Sequence, residues 1–142
     1  MFLGVLVGGH RRVSSRARGL TAKDTGALDT WTMEIEGACA EIAVAKLTGT
    51  YWWAYQSGRD KAPDSGSYHV RHTCRDDGCL ILHHDDPDAM FVLVTGRAPD
   101  FEVRGAIRSV DGRDPRYWRT NVPHPAYFVP ASALAPLRTE AT

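Results

Sequence analysis

The chain is poor in cysteine and has no excess of charge of either sign. Its three cysteines, Cys39, Cys74 and Cys79, are too few and odd in number for a disulfide framework, which predicts a reducing compartment. Basic and acidic residues number 17 each, so the field of the whole molecule does not attract nucleic acid or membranes. Any basic binding surface must therefore be local.

Long hydrophobic runs are also missing. The candidate targeting segment at the start, Met-Phe-Leu-Gly-Val-Leu-Val, falls far short of the ~20 apolar residues that span a bilayer. Arg11 and Arg12 follow this run instead of preceding it, unlike the charges of a secretory leader. We therefore predict a core-facing helix over residues 2–18, in a cytoplasmic protein with no membrane partner.

Several catalytic motifs are absent from the sequence. It contains no Gly-rich phosphate loop, no Ser-x-x-Lys and no Gly-x-Ser-x-Gly nucleophile elbow. A structural zinc site would show two short ligand pairs, whereas Cys74 and Cys79 merely flank a loop. Phosphate-loop, serine-nucleophile and zinc-finger chemistry are therefore disfavoured.

The composition is that of one folded domain. Apolar residues make up 43% of the 142 positions and charged residues 24%, which is typical of a globular chain rather than a disordered one. Thirteen glycines and eight prolines indicate many turns. We predict a single α+β domain over residues 1–142, with helices at 2–18 and 32–47 and a sheet at about 68–130.

The second predicted helix, residues 32–47, carries a buried acid. Its interior, Gly-Ala-Cys-Ala-Glu-Ile-Ala-Val-Ala, is small and apolar almost all round, which indicates burial on more than one side. Glu41 lies in the middle, and a buried carboxylate is costly unless it is paired or holds a metal. The partner could be a strand arginine, or Glu41 could be a metal-supporting or base-positioning acid.

The stretch from Pro63 to Thr73 combines a turn with a strand. Asp64 lies in the turn, and the alternation that follows places His69 and Arg71 on one strand face. An acid before a strand, followed by polar-x-basic on that strand, has the spacing of a metal-dependent nuclease site.

The chain beyond this stretch predicts a sheet. We expect residues 68–73 and 79–84 to form an antiparallel hairpin that pairs Arg71 with Leu82. The apolar run 90–95, Met-Phe-Val-Leu-Val-Thr, is typical of a strand covered on both faces and should join the same sheet. The hairpin would then form the core of a mixed sheet flanked by helices.

Five segments carry a resemblance to a known family. They read Glu-Gly-Ala-Cys-Ala-Glu-Ile-Ala-Val-Ala-Lys, Tyr-Trp, Asp-x-Gly-x-Tyr-x-Val-Arg-His-Thr, Phe-Val-Leu-Val-Thr-Gly and Tyr-Phe-Val-Pro. Over residues 11–137 the chain resembles a group of small bacteriophage and prophage proteins that is similar to the PD-(D/E)XK, or restriction-endonuclease-like, superfamily. The resemblance implies a restriction-endonuclease-like fold and a place in the bacterial host cytoplasm.

The resemblance also implies a site. Glu41, Asp64 and His69 would bind a divalent metal, Mg²⁺ or Mn²⁺, and Asp64, His69 and Arg71 would form the catalytic set. His69 stands where the family has a second acid, and Arg71 where it has a lysine. Histidine suits Mn²⁺ better than Mg²⁺, and arginine clamps a phosphate but does not act as a base. We further expect Arg71 to lower the pKa of Asp64 or Glu41.

Two functions follow from these implications. The first is a degenerate nuclease fold that binds and modulates a host protein or a nucleic acid. This function is compatible with a homodimer. The alternative is a metal-dependent DNA endonuclease or exonuclease that hydrolyses phosphodiesters. A plain structural alternative is a buried Glu41–Arg71 ion pair. Predicted contacts to DNA are made by five basic residues: Arg11, Arg12, Arg16, Lys61 and Arg119.

Overall fold

Two helices precede a series of short strands and turns. The computed structural model describes residues 2–19, 30–54 and 62–137, with helices α1 at Phe2–Ala17 and α2 at Thr30–Thr48. The strands are β1 Tyr68–Thr73, β2 Leu80–Leu82, β3 Met90–Arg97, β4 Asp100–Arg108, β5 Trp118–Arg119 and β6 Ala126–Val129. A short helix, α3, follows β4 at Ser109–Gly112, with 3-10 turns at Pro115–Tyr117 and Ala131–Ala133. This content confirms the predicted single α+β domain.

The strands form two three-stranded sheets. In the first, β3 lies at the centre, with β1 parallel on one side and β4 antiparallel on the other. This sheet is mixed, as predicted, and the apolar run takes its central position. In the second, β6 lies between β2 and β5, and both pairings are antiparallel. The one predicted sheet is therefore two.

The predicted hairpin of residues 68–73 and 79–84 is wrong. Arg71 lies opposite Leu93 of β3, not opposite Leu82, because β1 pairs with β3 and β2 pairs with β6. A central strand buried on both faces needs a backbone partner along each edge, and β1 supplies one of them for β3. β2 has only three residues and buries Leu80 and Leu82 on one face, so it packs over the first sheet instead of extending it.

β3 sends alternate side chains into two cores. The core between the sheets contains Leu80, Leu82, Phe91, Leu93 and Val129. The core against α2 contains Ala40, Val44, Val92, Val94 and Ala106. Since β1 is in register with β3, His69 and Arg71 share the face of Phe91 and Leu93, while Val70 packs on the α2 side.

Small residues bring the two helices together. Gly4 and Gly8 of α1 approach α2 so closely that a Cβ added at Gly8 would lie 2.6 Å from the Cα of Ile35. α2 is buried along much of its length, as its composition predicts, and Gly49 follows it with φ +70°, a conformation that favours glycine at a helix C-terminus.

The outer surface of α1 departs from the prediction of a core-facing helix. Only Gly4, Val7 and Gly8 of α1 are buried. The glycines make the contact through the backbone, which leaves the large apolar side chains on the other side exposed: Phe2, Leu3, Val5, Leu6 and Val13. Within the described part of the chain, no helix has the length and apolar character needed to cross a membrane.

Candidate functional site

Glu41 lies at the centre of a polar network beneath α1. Its side chain is only 10% exposed, so its carboxylate needs partners within the fold. Arg11 donates from Nη1 to Oε1 at 2.7 Å and from Nη2 to Oε2 at 2.9 Å, and Trp52 Nε1 donates to Oε2 at 2.8 Å. Both carboxylate oxygens are therefore engaged.

The predicted need for a partner of Glu41 is confirmed, but the predicted partner is wrong. Arg11, which the sequence assigns to DNA contacts, forms the bidentate ion pair, and Arg71 does not. Arg11 is further fixed by its Nε and Nη2 groups, which donate to the carbonyl oxygen of Ala54 at 3.2 and 3.0 Å. Trp52 was also missed, although a half-buried indole N–H itself indicates that an acceptor lies nearby.

Asp64 lies at the outer edge of β1. Its Oδ2 accepts a hydrogen bond from the backbone N–H of Val70 at 2.8 Å, and its own N–H donates to the carbonyl of Tyr68 at 2.8 Å. The next residue, Ser65, is fully buried and donates from Oγ to the backbone carbonyl of Glu41 at 2.8 Å. This turn therefore brings Asp64 to the Glu41 network.

The electrostatic environment of Asp64 is the reverse of the prediction. Burial, followed by the negative charge of Glu41, raises its pKa from 3.8 to about 6. The Val70 hydrogen bond and the positive charges of Arg71 and Arg11 lower it, but they do not compensate. The expected depression of the Asp64 pKa by Arg71 is therefore wrong, because desolvation outweighs that attraction.

His69 and Arg71 face the core between the sheets. His69 is 8% exposed and stacks on Phe91, with ring centroids 4.7 Å apart, and burial followed by the charge of Arg71 lowers its pKa. Arg71 donates from Nη2 to Oδ1 of Asp86 at 2.9 Å and lies over the same Phe91 ring. Asp86, between β2 and β3, is thus the partner of this arginine, which the sequence alone did not indicate.

The predicted metal ligands are brought together only in part. Glu41 and Asp64 interact electrostatically, but His69 points to the opposite face of the first sheet from α2. Among the described residues, no group of three or more His, Cys, Asp and Glu side chains is arranged to hold a metal ion. Two carboxylates fit a divalent cation, but His69 does not complete the set, and the metal stays a prediction.

The basic residues predicted to contact DNA lie in different settings. Arg11 pairs with Glu41, whereas Arg12 is half-buried and its buried Nε has no hydrogen-bond partner among the described residues. Arg16 is in the last turn of α1, and Arg119 is exposed on β5 over the ring of Phe128. Lys61 lies outside the described residues.

Asp64→Asn should flatten the pH dependence of stability. The folded pKa of Asp64 lies above its ordinary value of 3.8. The contribution of Asp64 to the free energy of unfolding is therefore fully present below pH 3.8 and is lost as pH rises through about 6. Asparagine stays neutral and keeps an oxygen for Val70 N–H. We expect the wild-type free energy of unfolding, measured by urea denaturation, to fall between pH 4 and 7 relative to that of Asp64→Asn.

The matched control is Asp88→Asn, which alters an exposed carboxylate paired with Arg108. It makes the same chemical change at an exposed position, so it reports any general effect of replacing an aspartate with asparagine. Equal slopes for Asp64→Asn and wild type would show that the Asp64 pKa is not raised.

Comparisons with protein-family models, with curated proteins and with solved structures gave no match.

Proposed function

We propose that this protein is a binding module built on a degenerate nuclease-like fold, which contacts a host protein or a nucleic acid in the cytoplasm of a bacterial host. The observation that carries the proposal is that Arg11 and Trp52 occupy both carboxylate oxygens of Glu41. The carboxylate that a nuclease would offer to a metal is instead part of the packing between α1 and α2.

Two physical arguments support a non-catalytic role. A cation on Glu41 would have to displace three hydrogen bonds and lie beside the permanently charged guanidinium of Arg11, which repels it. His69, which would complete the ligand set, is stacked on Phe91 on the other side of β1. His69 thus packs against a residue of the core between the sheets, and Arg71 pairs with Asp86.

One observation favours the alternative, a metal-dependent nuclease. Glu41 raises the pKa of Asp64, so the two carboxylates are close enough to repel each other. A divalent cation would relieve that repulsion, and oxygen ligands are those that Mg²⁺ prefers. In this alternative Glu41 and Asp64 would hold the metal, which would supply Lewis-acid chemistry for phosphodiester hydrolysis.

Calorimetry and a cleavage assay distinguish the two functions. Wild type and Asp64→Asn are titrated with Mn²⁺ and Mg²⁺ and are incubated with plasmid and with linear single-stranded DNA, with each metal and with chelator. We expect no saturable metal binding and no cleavage. Mn²⁺-dependent nicking by wild type that Asp64→Asn abolishes would overturn the binding-module proposal in favour of the nuclease.

Fluorescence anisotropy with labelled single- and double-stranded oligonucleotides then identifies the partner class. Saturable binding that persists in chelator and weakens with salt indicates nucleic acid, because phosphate contacts release counterions. Without such binding, the host-protein form of the proposal stands, and affinity capture from host lysate by wild type identifies candidate partners.

A further inference from the structure

The outward face of α1 is apolar although no element among the described residues covers it. Phe2 is 77% exposed and Leu6 is 52% exposed, and Val13 continues the same side of the helix. At 100° per residue these three side chains lie within about 40° of one another around the helix axis. Gly4 and Gly8, which contact α2, lie on the opposite side.

A tryptophan extends this apolar face onto the start of α2. Trp31 is 44% exposed, and a Cβ added at Gly9 would lie 4.0 Å from its Cζ3 atom. Gly9 is on the outward side of α1, so the indole lies alongside the apolar strip. The apolar strip, as we name it, consists of Phe2, Leu6, Val13 and Trp31.

The charged residues of α1, beside the apolar strip, are all basic, and Glu34 of α2 interacts with Arg11 and Arg12 on the side toward α2. The helix contains no acidic residue, and its basic residues follow the apolar half. Arg16 is exposed and lies on the flank of the strip, and within the described part of the chain it forms no ion pair. Arg12 is half-buried and lies nearer the α2 side, where its charge acts on Glu34. A surface that buries apolar side chains and presents negative charge would therefore complement this face.

We propose that α1 binds the surface of an anionic lipid bilayer, lying in the interface with the apolar strip inserted and Arg16 at the level of the phosphates. A helix with Phe, Leu and Trp on one face and arginine at its border has the composition of interfacial helices. The prediction of no membrane partner rested on spanning length and on the net charge of the whole molecule, and neither limits a local interfacial contact. This inference is independent of the proposed function.

A second copy of the chain complements the face less well. A parallel helix pair would place Arg16 of one copy beside Arg16 of the other. An antiparallel pair would place the basic half of each helix over the apolar half of its partner, which removes water from the arginines without pairing them. A bilayer accepts both halves, because long arginine side chains reach the headgroups while the apolar side chains insert.

Vesicle flotation with the full chain tests the proposal. The probes are phosphatidylcholine vesicles with and without 30% phosphatidylglycerol, at low salt and at 0.5 M salt. We expect wild type to float with the anionic vesicles only, with a blue shift of tryptophan fluorescence that Trp31→Phe reduces. High salt should weaken the binding, since it screens the arginines.

Two pairs of variants locate the contact. Phe2→Ser/Leu6→Ser should lower the vesicle affinity at least tenfold, whereas Val110→Ser, which alters an exposed valine on α3, should leave it unchanged. Arg16→Gln should lower it about threefold, whereas the exposed Arg97→Gln should not. All four variants change exposed positions, so circular dichroism should show a wild-type fold.

Three results would overturn the proposal. The first is no flotation of wild type with anionic vesicles, and the second is equal flotation of wild type and Phe2→Ser/Leu6→Ser. The third is a dimer in sedimentation equilibrium that this variant abolishes while vesicle binding is absent, which would assign the apolar strip to a contact with a second copy.

Discussion

Arg11→Met is expected to lower the free energy of unfolding by about 3–5 kcal/mol, because it leaves a buried carboxylate without its counter-ion. Among the described residues, only the Trp52 indole N–H would remain as a side-chain donor to Glu41, and the Ala54 carbonyl would lose both of its donors from Arg11. Methionine retains the length of the apolar stem, so the loss measures the missing guanidinium. Urea denaturation at pH 7 gives the value.

The double variant Arg11→Met/Glu41→Met separates the ion pair from packing. A buried pair replaced as a unit by apolar side chains often costs little, so the double variant should be more stable than Arg11→Met alone. Arg75→Gln is the matched control, because Arg75 forms a fully exposed pair with Asp77 and its loss should leave stability near wild type. A loss for Arg11→Met no larger than that for Arg75→Gln would show that the Glu41 network does not hold the helices together.

The elements that the sequence predicts well are those with a strong local signal. β3 is a continuous apolar run, and α2 is a helix of small residues buried on several sides; both are found close to their predicted limits. Strand pairing has no such signal. The alternation within β1 indicates which residues share a face, but it does not indicate whether the neighbour is β2 or β3.

In the candidate site, too, the sequence predicts what depends on neighbouring residues but not what depends on contacts between distant segments. A buried carboxylate at Glu41 requires a partner, but the sequence contains several arginines that could be that partner. The alternation of side chains along β1 could have excluded Arg71 as that partner. Val70 packs toward apolar α2, so the side chain of Arg71 must point to the other face of the sheet. Arg11 could not be selected in this way, because its position depends on how closely the glycines of α1 approach α2.

Gly8→Ala is expected to destabilise the protein by about 1–3 kcal/mol, although alanine favours a helix. The added Cβ would lie 2.6 Å from the Cα of Ile35 and 2.8 Å from the backbone oxygen of Glu34. Backbone atoms of a helix cannot rotate away as a side chain can, so α1 must move off α2. That movement also stretches the Arg11 contacts to Glu41.

The neighbouring Gly9→Ala is the matched control, with an expected effect of opposite sign. Its Cβ would meet only the Trp31 ring, at 4.0 Å, which is an ordinary contact. The variant should therefore gain about 0.5–1 kcal/mol from the higher helix propensity of alanine. Since both variants make the same chemical change in the same helix, the difference between their urea midpoints isolates the approach of the two helices. Shifts of the same sign and size would contradict the close α1–α2 contact on which the Arg11–Glu41 pair depends.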